Sequence, residues 1–189
     1  SSLSAIIQLG SILALFWYFR KDIFRLKSKS TKSLLDYFLH LRLLRSILIG
    51  TIPIVLLGGS IKLFTPYFFE KILRSNLSIA LVSFVMATIM YIAEISKKGS
   101  INLKNHNYSD SFLIGVSQAF AILPGISRSG ATICTSLFLG NKNRDSAEFS
   151  FLIVIPVIFG AILKDVITGD IFSHQLKISV LVIGFSSSF

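Results

Sequence analysis

The stretch from Ser111 to Asn141, SFLIGVSQAFAILPGISRSGATICTSLFLGN, decides how this chain folds and where its chemistry sits. It is apolar at both ends, breaks at Pro124 and Gly125, and carries a single formal charge, Arg128, between the hydroxyls of Ser127 and Ser129. The two apolar arms, Phe112 to Leu123 and Ala131 to Leu139, each fall short of the roughly 20 residues that a membrane-crossing helix needs. The stretch therefore crosses once with a break in its middle, or it enters and returns on one side as a re-entrant hairpin that turns at Pro124-Gly125. A lone arginine in hydrocarbon costs about 2.5–3.5 kcal/mol on insertion scales, so Arg128 should face a protein interior or a wet cavity and meet an anion there.

Composition fixes the solvent. The 189 residues are 52% hydrophobic and 15% charged, with 17 Phe and a mean hydropathy of +0.73, against a charged fraction of about 25% in soluble domains. An all-α integral membrane protein, a polytopic helix bundle, fits better than a soluble domain with several all-apolar core helices. The net charge of +10 lies between the apolar runs, where juxtamembrane loops would place it, so it calls for no nucleic-acid partner. Anionic lipid headgroups are a compatible contact for it. The lone Cys134 reads as a small apolar residue, and His40, His106 and His174 lie far apart with no metal-ligand spacing. No metal site is legible.

Along the chain, Leu3 to Phe19 is a first span of marginal length ending in an interfacial aromatic cluster, with Gln8, Gly10 and Ser11 as a patch for a neighbouring helix. Residues 20–45 carry Arg20, Lys21, Arg25, Lys27, Lys29, Lys32, Arg42 and Arg45 against Asp22 and Asp36, which makes this a basic cytoplasmic loop. Its end, Ser33 to Leu44, suits an interfacial helix. Ser46 to Phe64 is a second span that Pro53 can kink, with Thr51 available to the freed backbone groups. Thr65 to Asn76 belongs outside, Leu77 to Ile95 returns with Glu94 at its inner interface, and the lysines of Ser96 to Asp110 place that loop inside. A hairpin at 111–141 then brings Lys142 and Arg144 back to the inside, which favours it over a single crossing. Ser146 or Asp145 can cap a fourth span, Ala147 to Leu163, interrupted by Pro156. Lys164 to Lys177 is an outer loop, and a last span begins at Ile178. One transmembrane domain, 1–189, covers the whole chain, and both ends read as cut inside longer segments.

PGISRSGAT, Pro124 to Thr132, has the parts of an oxyanion cradle. Gly125 and Gly130 let the backbone approach a ligand, a helix begins near Ser129 to Thr132, and its unpaired amides can point at an anion. Arg128 offers a planar fork of donors, and Ser127, Ser129 and Thr132 offer hydroxyls. The competing reading is a Gly/Ser packing turn with Arg128 tied to carbonyls or to a carboxylate from another helix.

GVSQAFAILPGISRSGAT, Gly115 to Thr132, resembles the second signature of the bacterial undecaprenyl-diphosphatase (bacitracin-resistance) family, which runs from a Gln to PGxSRSGxT. The likeness extends through Gly140, Arg144 and AEFSFLIVIPVIFGA, and takes in IIQLGSILAL and TIPIVLLGG. It implies a multi-pass enzyme of the bacterial inner membrane that removes the terminal phosphate of undecaprenyl diphosphate, a polyprenyl diphosphate lipid carrier recycled for peptidoglycan synthesis. It also implies two inverted repeats, each with a re-entrant segment, and a site opening to the periplasm. By this resemblance Arg128, Ser127 and Ser129 are catalytic, and Gly125, Gly130, Thr132 and Gln118 bind substrate. A divalent cation, Mg or Ca, follows from the resemblance alone, and a homo-oligomer is compatible with it.

The family's first signature, an acidic segment and a Ser-Ser-Thr-Gly-His stretch before IIQLG, is absent from these residues. Water attack on a diphosphate needs a proton acceptor, and no carboxylate pair lies beside Arg128, so the 189-residue chain alone is expected to be inactive. A transporter or flippase of a polyprenyl phosphate is the rival from another class, because broken re-entrant helices are transporter architecture. A purely structural membrane subunit is the third reading. A phosphatase resembling the vanadium haloperoxidases would need histidines beside Arg128, and none is there.

Overall fold

The computed structural model describes residues 34–64, 75–96, 99–102 and 107–167, with the isolated positions 10, 13–14, 17, 183–184 and 186–188. The elements among these residues are helices: α1 (Leu34–Phe64), α2 (Asn76–Ile95), α3 (Tyr108–Phe120), α4 (Arg128–Phe138) and α5 (Asn143–Ile167). An isolated parallel bridge joins Ile101 to Asn141. The all-α class expected from the sequence is therefore what the chain adopts. The first and last expected spans, the basic run before residue 34, and most of the two outer loops fall outside the described residues.

Two compact units divide the chain, and the one from Leu41 to Ile153 holds the whole central stretch. The other comprises Ser1–His40 and Val154–Phe189. Within it α5 runs on past Pro156, and Phe159, Leu163 and Ile167 leave 63%, 49% and 76% of their surface open.

Helix α1 is continuous, so the interfacial helix expected up to Leu44 and the span expected from Ser46 are one element. Pro53 lies inside it and has no N–H to give the carbonyl of Ile49. Thr51 does not make good that loss: its hydroxyl donates to the carbonyl of Ile47 at 2.8 Å, one turn back.

Helix α2 begins where Ser75 caps it, its Oγ accepting from the amide of Ser78 at 3.2 Å. Its 20 residues make it the one helix among the described residues long and apolar enough to cross a membrane. Met86 and Ala93, seven apart, are buried, whereas Leu77, Phe84 and Tyr91 on another face are 72%, 73% and 68% exposed. A stripe of that kind is at home against lipid tails and would be an aggregation surface in water. Glu94 is exposed at the helix end, where an interfacial residue belongs.

Against the inner face of α2 lies α4. Met86 and Ala93 form a cluster with Cys134, flanked by Ile126, Ala131 and Leu137, so the cysteine is a buried, free, packing thiol. Helices α3 and α4 also pack on each other. Helix α3 in turn meets α1 backbone to backbone: a side chain at Gly115 would collide with the carbonyl of Gly50. Close approach between small residues is how helices bind one another when lipid removes the hydrophobic drive. Outside this crossing, the guanidinium of Arg42 sits 5.9 Å from the centroid of the Tyr108 ring.

Helix α4 ends in a Schellman motif. Gly140 has φ +85°, its amide donates to the carbonyl of Leu137 at 2.9 Å, and the amide of Asn141 donates to that of Ser136 at 3.2 Å. The residues on either side of Asn141 then bond Ile101: its amide donates to the carbonyl of Gly140 and its carbonyl accepts from the amide of Lys142, both at 3.0 Å. The amide of Ser146 reaches the carbonyl of Lys142 at 2.8 Å, so α5 starts at Asn143, a turn earlier than the expected caps Asp145 and Ser146. Asp145 keeps a favourable place in the first turn, facing the positive end of the helix dipole.

Candidate functional site

Between α3 and α4 the backbone makes a short descent and a sharp turn. The amides of Ala121, Ile122 and Leu123 donate to the carbonyls three residues back, tightening the end of α3. Leu123-Pro124-Gly125-Ile126 is a β-turn closed by the Ile126 amide on the Leu123 carbonyl at 3.2 Å, with Gly125 at φ +98°. Proline at its second position and a left-handed glycine at its third are what a type II turn asks for.

Sequence reasoning reads Gly125 as room for a ligand, but the structure spends that room on α2. A Cβ at Gly125 would lie 2.8 Å from the carbonyl oxygen of Ile79 and 3.0 Å from Oγ of Ser83. Ser83 donates to the carbonyl of Gly125 at 3.3 Å. The turn is therefore seated on the spanning helix. Gly130 is likewise buried, beside Met90 and Ser127, rather than open to a ligand.

Helix α4 opens at Arg128 with Ser127 as its N-cap, Oγ accepting from the amide of Gly130 at 3.2 Å. The Ser127 carbonyl takes the amide of Ala131 at 2.8 Å. Since the first amides of a helix have no acceptor inside it, those of Arg128 and Ser129 remain for an outside oxygen. Ser127 is exposed, and Arg128 and Ser129 are half-buried. No described carboxylate pairs with Arg128. Of the packing-turn alternative, in which Arg128 is tied to carbonyls or to a carboxylate, the carboxylate half finds no acid among the described residues.

Thr132 and Gln118, which the resemblance counts among the substrate-binding residues, differ in burial from Ser127, Arg128 and Ser129. Both are wholly buried. The Thr132 hydroxyl lies 3.0 Å from the carbonyl of Arg128 and 3.1 Å from that of Ser129, and 2.5 Å from Oγ of Ser150 on α5. It braces the first turn of α4 from within. Gln118, in the last turn of α3, has no hydrogen-bond partner for either Oε1 or Nε2. Its neighbour Ser117 reaches across to the carbonyl of Ala131 at 3.4 Å, which sets the last turn of α3 level with the first turn of α4. Ser150 is the residue that sequence reasoning missed. Its only signal was a hydroxyl inside the apolar run AEFSFLIVIP.

Among the described residues no three His, Cys, Asp or Glu side chains come together to hold a metal. What the segment supplies is an arginine, two helix-end amides and two serine hydroxyls within three consecutive residues at the start of α4, donor types suited to a phosphate group.

A family model described as Bacitracin resistance protein BacA matches residues 1–189. Among curated relatives, an undecaprenyl-diphosphatase of Prochlorococcus marinus (strain MIT 9312) is 63% identical over 189 residues, covering 100% of this chain and 70% of the relative. One from Prochlorococcus marinus (strain AS9601) is 61% identical over 189 residues, covering 100% and 69%. One from Gloeobacter violaceus (strain ATCC 29082 / PCC 7421) is 40% identical over 192 residues, covering 98% and 64%.

Proposed function

The chain belongs to the bacitracin resistance protein BacA family, and from that premise we propose that it works as an undecaprenyl-diphosphate phosphatase of the bacterial inner membrane. Water attacks the terminal phosphorus, the bond from that phosphorus to the bridging oxygen breaks, and undecaprenyl phosphate and inorganic phosphate leave. The observation that carries the reading is Arg128 at the α4 N-terminus, half-buried and without a described carboxylate partner. A half-buried guanidinium with no described carboxylate beside it is matched to an anionic substrate, and its fork suits two oxygens of one phosphate. The Arg128 fork and the amides of Arg128 and Ser129 stabilise the charge that gathers on the phosphoryl oxygens, while Ser127 and Ser129 add hydroxyl donors. The described residues provide grip and charge rather than the proton acceptor.

The α3–turn–α4 segment is read as a re-entrant hairpin entering from the cytoplasm. Two observations support this. Helices of 13 and 11 residues are each too short to span, and the bridge sets Ile101, seven residues before the first helix, beside Asn141, three residues after the second. A single crossing would separate them by the ~30 Å of the hydrocarbon core. In this reading Arg128 lies near the hairpin tip, facing a site that opens to the periplasm, within a multi-pass, inverted-repeat bundle. The rival reading, a transporter, is separated by turnover. Phosphate release from undecaprenyl diphosphate by the purified full-length protein, abolished in Arg128→Ala, is the expected result, and binding of the lipid without release would favour transport.

A further inference from the structure

Thr132 has one hydroxyl proton and two carbonyls within reach, those of Arg128 at 3.0 Å and Ser129 at 3.1 Å. Carbonyls only accept, so the Thr132 proton goes to them. The contact of 2.5 Å between Thr132 Oγ1 and Ser150 Oγ must then be made by the serine's proton. The result is a relay from α5 through Thr132 into the backbone of the two residues whose amides and side chains face the phosphate. Both hydroxyls are fully buried, where water offers no competing bond.

We propose that Ser150 is a positioning residue of the phosphatase site, holding the first turn of α4 in register through Thr132 without touching substrate. The inference rests on the phosphatase reading. Its chemistry follows from where the relay ends: shifting the Arg128 carbonyl tilts the Ser129 amide that shares its peptide plane, and moves the arginine stem, relative to the phosphate. Donors aimed at charge that develops in the transition state lose most when misaligned, while ground-state binding of a long lipid loses little. The signature is therefore a fall in kcat with KM held.

A control sits on the same helix. Ser146 is one turn earlier, equally buried, and its Oγ has no partner, so Ser146→Ala deletes the same atom without breaking the relay.

Phosphate release would be measured on full-length protein in detergent for wild type, Ser146→Ala, Ser150→Ala, Thr132→Val and the double variant. We expect Ser150→Ala and Thr132→Val each to lower kcat about tenfold with KM within about twofold, Ser146→Ala to match wild type, and the double variant to be no slower than the slower single. If Ser150→Ala does not accumulate, Ser150→Cys, similar in volume but a weak donor, carries the test with a loss of about threefold. Wild-type kcat in the Ser150 variants, an equal loss in Ser146→Ala, or fully multiplicative losses in the double variant would overturn the inference. Failure of wild type itself to release phosphate would sink the phosphatase reading instead, and the two failures cannot be confused.

Discussion

Replacing Arg128 by lysine keeps the charge and removes the fork, which makes it the most informative single substitution. A charge-assisted hydrogen bond contributes about 1.5–3 kcal/mol, so Arg128→Lys should lower kcat/KM for the lipid diphosphate by roughly tenfold to a hundredfold while the protein stays folded; unchanged kinetics would mean that only charge matters there. Gly125→Ala should do the reverse. It forces a side chain into a φ of +98° and against the Ile79 carbonyl, costing at least about 1–2 kcal/mol, so the thermal midpoint in detergent should fall. Gln118 invites a third test. Its amide is buried with neither polar atom bonded, and an apolar residue there removes a desolvation cost. Gln118→Leu should therefore keep or raise stability and still reduce phosphate release, whereas lost stability with normal turnover would make it a packing residue. Of these three, sequence alone finds Arg128, because an intramembrane charge is rare. It names Gly125 for a different reason from the one the structure gives, since a φ and a neighbouring carbonyl leave no mark on the chain, and it does not show Thr132 buried against Ser150, a partner 18 residues away.

Helix boundaries show the same division. The start of α2 at a Ser75 cap and its end near Ile95 are written locally, in a capping serine and an unbroken apolar run, and so is the break at Pro124-Gly125. The early start of α5 is not. It depends on the carbonyl of Lys142 receiving the Ser146 amide after the Schellman turn at Gly140 has aimed the chain, and on a bridge to Ile101 from forty residues upstream. No window of sequence contains both partners. The bridge gives the hairpin its test. Asn102 and Asn143 are exposed on its two sides, so cysteines placed there in a Cys134→Ala background should both react with a membrane-impermeant maleimide from the cytoplasmic face. Labelling from opposite faces would replace the hairpin with a single broken crossing.

At the level of the whole molecule, composition and charge distribution announced a membrane protein, and the outward stripe of Leu77, Phe84 and Tyr91 on α2 agrees with it. The interior was less legible. Ser46, Ser111, Gln118, Thr132, Ser136, Ser146 and Ser150 are all buried, hydroxyls and an amide that a hydropathy reading counts as interruptions of apolar runs. The seat of the Pro124-Gly125 turn on α2 carries the last consequence. The 20 residues of α2 rise about 30 Å, close to the thickness of a bilayer core, and the turn rests on Ile79 and Ser83 near one end. When a bilayer is thinner than the helix it holds, the helix tilts, and a tilt of α2 would carry the turn and the Arg128 end of α4 with it. Reconstituted in lipids of graded acyl length, the protein should turn over fastest near the matched thickness and more slowly on either side; a flat profile would show the turn moving independently of α2. Membrane thickness would then act on this enzyme as temperature or pH acts on others, a physical variable of the reaction that no substrate contact reports.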